Sequence, residues 1–190
     1  MDTKGWLADL LFKRKRYAEA EASRREQWTG RQKVLGECHD EILTSHFWVA
    51  RCLYGQNRYP GAQTLWKDEM SKRGDRDGKP NKGRLDAMFW AAHVYFTTDY
   101  FKEAEDLWRE ELAGRRALNR DEDRDTLDAI HWLARSMHSQ GRHEESEALW
   151  SEEVTIRRKM SGSRDIGTLD AMGWLGWRSQ SRKSTLNVNE

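Results

Sequence analysis

Proline is scarce in this sequence, with 2 residues in 190. Scarcity of the residue that interrupts helices suits long helical segments better than a succession of strands and tight turns. Cysteine is scarce as well. Cys38 and Cys52 form neither a disulfide framework nor a Cys-x-x-Cys pair, which fits two unpaired thiols in a reducing compartment. An excess of charge of one sign is missing: 33 Lys and Arg stand against 32 Asp and Glu, a formal net charge of +1. Sequence-independent nucleic-acid binders carry a marked basic excess, so the balance argues against a nucleic-acid partner. No apolar run approaches the ~20 residues that span a bilayer. The basic cluster Lys13-Arg14-Lys15-Arg16 follows a short apolar stretch, where a secretory signal would place it in front. These absences predict a soluble, cytoplasmic protein without membrane contact. Disorder is argued against by what is present: 10 Trp, 5 Tyr and 5 Phe, set on a regular lattice.

The lattice is a repeat. Trp6, Trp48, Trp90, Trp132 and Trp174 lie 42 residues apart without a gap, and self-similarity at such a period is the mark of a stacked array. The same step aligns Leu43, Leu85, Leu127 and Leu169; Ala8, Ala50, Ala92, Ala134 and Gly176; Tyr17, Tyr59, Phe101 and His143; and Ala20, Ala62, Ala104 and Ser146. Leu65-Trp66, Leu107-Trp108 and Leu149-Trp150 form a second aromatic series.

Within one unit the apolar spacing is helical. Leu127, Ile130, Leu133, Ala134 and Met137 share one face of a helix over 126–139. Ser139 to His143 then breaks the helix, with Gly141 where a helix end wants a left-handed residue. A second helix is expected from about Glu144 to Met160. Each unit is therefore a helical hairpin whose apolar stripes are buried only by stacking, so the predicted fold class is all-α: a right-handed α-solenoid of antiparallel hairpins with about 4.5 repeats. The expected units cover about 4–42, 43–84, 85–126 and 127–168, followed by a capping helix at 169–182, all within one domain of residues 1–182. A polar tail is expected at 183–190. The pairs Glu69/Arg73, Glu111/Arg115 and Glu153/Arg157 are spaced four apart with the acid first, and read as a solvated outer face. In the first unit Ser23 and Arg24 stand where later units have Leu-Trp, and Trp28 supplies bulk one turn later, as in a polar-flanked terminal repeat.

The motifs Trp-Leu-Ala, Gln-Gly-Arg-His and Glu-Ala-Glu-x-Leu-Trp, best seen in 99–112 and 133–150, resemble the tetratricopeptide repeat (TPR). The 42-residue period, longer than the usual ~34, and the connectors VLGECHDEIL (34–43) and DEDRDTLDA (121–129) resemble the kinesin-light-chain type. The resemblance implies a superhelix whose first helices line a concave groove, and a non-enzymatic role in protein–protein interaction. It also implies an Asn before the Leu-Ala pair that clamps peptide backbone; here the Trp column occupies that position.

A helical wheel turns Trp132 roughly 160° from the apolar stripe of its helix. The candidate groove rows are then Trp48, Trp90 and Trp132; Asp86 and Asp128; and Arg51, His93 and Arg135. Two readings stand for the indoles: anchors for a ligand, or packing between neighbouring first helices, since Ser45, Ala87, Ala129 and Ala171 are small. The cationic row reads either as a seat for an acidic or aromatic peptide segment or as the partner of the acidic row. Trp66, Trp108 and Trp150 read as core.

Catalytic and metal chemistry find little support. His131 and His138 stand about 10.5 Å apart along one helix, too far to share a metal. DEDRD (121–125) lacks the Gly and distal Glu of a calcium loop, and GDRDGKP (74–80) lacks the spacing of a phosphate loop. The expectation is a protein-interaction scaffold with no catalytic residue, cofactor or metal. The alternatives are an aromatic groove for a small molecule or its chemistry, and self-association through the solenoid ends near Trp174 and Trp177.

Overall fold

The computed structural model describes residues 3–37, 39–74, 80–118, 120 and 122–186, with side chains from 5 to 176. Cys38, most of the 74–80 loop, Asp121, and the side chains of Trp177 and the expected tail lie outside the described residues. All regular structure among the described residues is helical. The chain divides into two compact units, Met1–Tyr100 and Phe101–Glu190.

The first unit comprises α1 (Thr3–Lys13), α2 (Tyr17–Leu35), α3 (Asp40–Gly55), α4 (Tyr59–Lys72) and α5 (Lys82–Thr97). Each helix packs on the next in sequence, and α3 also reaches α5. In the second unit α6 (Phe101–Ala117), α7 (Arg124–Ser139), α8 (His143–Ser161) and α9 (Ile166–Leu186) do the same. This is the α-solenoid class, built of helical hairpins stacked in sequence order.

The turn inside each hairpin follows the repeat. Lys15, Asn57, Asp99 and Gly141, spaced by 42, all have φ between 60° and 79°. The next residue donates its N–H back across the helix end: Arg16 to Leu11, Arg58 to Leu53, Tyr100 to Tyr95 and Arg142 to Met137, at 2.9–3.0 Å. This bond satisfies a carbonyl that the helix end would otherwise leave open. Of the four, Lys15 is the residue least suited to the left-handed region.

The cores follow the columns. Trp66, Trp108 and Trp150 are buried, as are Ala20, Ala62, Ala104 and Ser146 one turn earlier, where helices approach closely. Ala8, Ala50, Ala92 and Ala134 are buried too.

The charged pairs expected on an outer face are instead internal. Glu69 is 1% exposed, Glu111 0% and Glu153 1%, and Arg115 is buried beside them. Each Arg binds its Glu through Nε, at 2.8 Å for Arg73, 2.6 Å for Arg115 and 2.7 Å for Arg157. The guanidinium then reaches a first helix: Arg73 to Asp40 and Thr44, Arg115 to Asp125, and Arg157 to Asp128, all at 3.3 Å. The physical reason lies in the same helix: Trp66, Glu69 and Arg73 stand at i, i+3 and i+7, so the pair shares the face of the buried indole. Gly83 and Gly167 make room for it. A Cβ at either would lie 2.7 Å from the guanidinium of Arg73 or Arg157.

A second polar network recurs every 84 residues. Buried Glu21 accepts from Gln56 at 2.7 Å and Arg58 at 2.9 Å, with Arg25 also at 2.9 Å. Two hairpins on, Glu105 accepts from Gln140 at 2.7 Å, Arg142 at 2.6 Å and Arg109 at 2.5 Å. The intervening hairpin has Gln63, Lys67, Thr98 and Tyr100 at these columns.

Candidate functional site

The candidate rows sit on first helices. In the first unit Trp48 and Arg51 project from α3, and Asp86, Trp90 and His93 from α5; in the second, Asp128, Trp132 and Arg135 project from α7. The structure brings the indole and cationic rows together, and Asp86 lines one cavity with Trp48.

Each half-buried indole lies against the hairpin before it. Trp90 stacks on Trp66 with centroids 6.2 Å apart and planes at 24°. Trp132 stacks on Trp108 at 5.9 Å and 26°, and Trp174 on Trp150 at 5.5 Å and 23°. One edge of the ladder is thus packing against a neighbouring core. Trp48 has no such indole, because its column partner is Arg24; the guanidinium takes the place, 5.2 Å from the Trp48 centroid, and ion-pairs with Asp9. A cation over an indole face substitutes for stacking where the preceding hairpin carries Arg24 in place of the indole.

The cationic row lies between successive indoles. Arg51 sits 5.1 Å from the Trp48 centroid and 4.2 Å from Trp90, with Phe12 at 5.0 Å and Phe47 at 5.9 Å. Its Nε is buried without an acceptor, and this burial lowers the guanidinium pKa from its ordinary value. Arg135 lies 4.3 Å from Trp132 and 5.0 Å from Trp174. Burial lowers its pKa as well, opposed by the nearby Asp170. His93 differs: it is 7% exposed, set against Phe89 at 4.6 Å and Trp90 at 5.3 Å.

The acidic row is neutralised elsewhere. Asp86 pairs with Lys82 at 2.8 Å within α5, and Asp128 with Arg157 of α8 at 3.3 Å. Burial raises the Asp128 pKa, with Arg157 and Arg124 pulling it back.

Two clefts open beside these rows at equivalent columns. A cavity of about 330 Å³ in the first unit is lined by Thr44, Phe47, Trp48, Glu69, Arg73 and Asp86, among others. A cavity of about 480 Å³ in the second has Asp128, Arg157, Ile166, Gly167 and Asp170 among its walls. Glu69 is a residue that sequence reasoning assigned to the surface. Its Oε2 is buried without a hydrogen-bond partner, and desolvation pushes its pKa up to about 8 against the pull of Arg73. In the second unit His131 meets the corresponding Oε2 of Glu153 at 3.0 Å; the residue 84 positions before His131 is Phe47, which has no donor to offer.

No helix among the described residues is long and apolar enough to cross a membrane. Cys52 is buried and free, and burial pushes its thiol up to about 11, which suits packing rather than reactivity.

Residues 130–152 match the family profile described as tetratricopeptide repeat. No curated protein matches the chain. Among solved structures, two of a Podosopora anserina protein, described as a kinesin light chain with nearly identical TPR-like repeats, superpose with TM-scores of 0.82 and 0.80 at 20% identity. They cover 98% of this chain and 88% and 89% of theirs. BtubC (BKLC) from P. vanneervenii gives a TM-score of 0.74 at 16% identity, over 95% of this chain and 78% of its own. The fold is therefore that of the kinesin-light-chain-like TPR solenoids, with a tetratricopeptide repeat at 130–152.

Proposed function

We propose that this chain, a TPR solenoid in fold, is a non-enzymatic cytoplasmic interaction module that holds an extended segment of a partner protein along its first-helix rows. The observation that carries the reading is Arg51, a guanidinium held between two indoles. Of the acidic row, Asp86 pairs with Lys82 and Asp128 with Arg157. A cation fixed by aromatic faces loses little conformational freedom on binding and favours a carboxylate in the ligand. Trp48, Trp90 and Trp132 would add apolar contact through their exposed edges, and Arg135 a second cation. His93, nearly covered, would act by positioning Trp90.

The test uses Arg51→Met, which keeps an apolar stem among the rings and removes the charge. A fluorescent peptide panel, graded from acidic to basic, is titrated against both forms. The reading expects wild type to prefer acidic peptides and Arg51→Met to lose that preference. Equal affinities of the two forms across the panel would overturn it.

A second reading, pairing of two copies through their ends, is favoured by one contrast. Leu169 is 51% exposed, whereas Leu43, Leu85 and Leu127 of the same column are buried. Sedimentation over a wide concentration range tests it, and a monomer throughout would remove it.

A further inference from the structure

We propose that His138 and His143 form a bidentate site for one Zn²⁺ ion at the turn between α7 and α8. Their Nδ1 atoms stand 3.3 Å apart. Two nitrogens bound to one zinc at ~2.0–2.1 Å, and separated by the tetrahedral angle, stand about 3.3 Å from each other. The distance between the imidazoles is thus the bite that tetrahedral zinc requires.

The repeat explains how the rings came to be placed so. Eighty-four residues earlier the two columns hold Tyr54 and Tyr59, whose rings lie 5.5 Å apart at 55°. The rings of His138 and His143 lie 4.8 Å apart at the same 55°. Trp150 backs His138 at 5.5 Å, as Trp66 backs Tyr54 at 6.2 Å. In this hairpin alone both aromatic columns are histidine, so the packing is retained and two facing nitrogens are added.

The turn between the rings is pinned. Gln140 and Arg142 both donate to buried Glu105, and Arg142 also binds Glu145 at 2.5 Å. The site is therefore preorganised, and both rings are partly exposed to an incoming ion. In the ion-free pair one Nδ1–H donates to the other Nδ1. Zinc requires both Nδ1 lone pairs, so the donor ring moves its proton to Nε2 and both rings stay neutral. Among the described residues no cluster of three or more His, Cys, Asp or Glu could hold a metal. Two imidazoles leave two positions of the tetrahedron, one more than zinc sites with three protein ligands keep open, for water or a donor from a bound partner.

The experiment is a calorimetric titration of the whole chain with Zn²⁺ at pH 7.5, repeated on His138→Phe/His143→Phe. Phe96 and Phe101 already occupy these columns one 42-residue repeat earlier, so the variant keeps an aromatic pair; its melting temperature checks the fold. The proposal expects one equivalent bound by wild type and lost in the double variant. Co²⁺ bound by wild type alone should give the absorption of a tetrahedral nitrogen-ligated ion. Zinc bound equally by the double variant, or no equivalent bound by wild type, would overturn the proposal.

Discussion

Replacing Glu69 with Gln should change how stability depends on pH more than it changes stability at any one pH. Burial raises the Glu69 pKa from 4.5 to about 8 in the folded chain. Between those values the folded state keeps a proton that the unfolded state releases, so stability falls as pH rises through the window. The span corresponds to on the order of 5 kcal/mol. The charges around the carboxyl are Arg73, which favours its ionised form, and Asp68 and Asp86, which oppose it. His46 contributes the opposite slope. Desolvation lowers its pKa below 6.5, so stability linked to it is lost as pH falls below that value. The window from about 6.5 to 8 is therefore the clean one. Urea unfolding of wild type and Glu69→Gln at half-unit steps from pH 5 to 9 gives the comparison, with His46 cancelling in the difference. The chain supplies a precedent for the variant: Gln27 occupies the same column, nearly buried. The expected result is a wild-type curve that declines by a few kcal/mol toward pH 8 and a nearly flat variant curve. Phe47→His, which copies His131 onto the first unit, should flatten the slope by giving Oε2 a donor. Parallel curves for all three proteins would refute a desolvated Glu69.

Lys15→Gly relieves a left-handed lysine and should stabilise the chain by about 1 kcal/mol, read as a higher urea midpoint with unchanged slope. Gly30, in α2, has nothing within 4 Å of a would-be Cβ, so Gly30→Ala should gain ~0.5–1 kcal/mol. Gly83→Ala should forfeit that gain because its Cβ displaces the Arg73 guanidinium; equal gains at both sites would contradict the packing. Trp66→Ala should cost ~3–5 kcal/mol, whereas Trp6, 65% exposed, should lose little on the same change, and thermal melts separate the two.

Much of the fold was legible because it depends on residues that repeat. The Trp66 series had to be core, since it shares a face with an alanine column. Gly141 marked a left-handed turn, and the equivalent turns at Lys15, Asn57 and Asp99 follow by counting. The charged ladder was not legible by the rule applied to it. Acid-then-base at i, i+4 describes a surface pair and a buried one equally, and only the spacing from Trp66 to Glu69 and Arg73 distinguishes them. Among the candidate residues, the sequence pattern left two fates for the cationic row, pairing with the acidic row or with a ligand. The structure contains a third, stacking on the indoles. That outcome depends on distances between hairpins, which a wheel drawn for one helix does not contain.

The networks around Glu21 and Glu105 carry a consequence for how such an array can change length. Excising residues 43–84 would set Glu21 beside a turn bearing Thr98 and Tyr100, stranding a buried carboxylate without its amide and guanidinium donors. Excising 43–126 would deliver Gln140 and Arg142 to the same carboxylate. The 42-residue period counts helices, but the unit of inheritance that leaves every junction chemically intact is the pair. Lengthening or shortening this protein in even steps should be tolerated where odd steps are not.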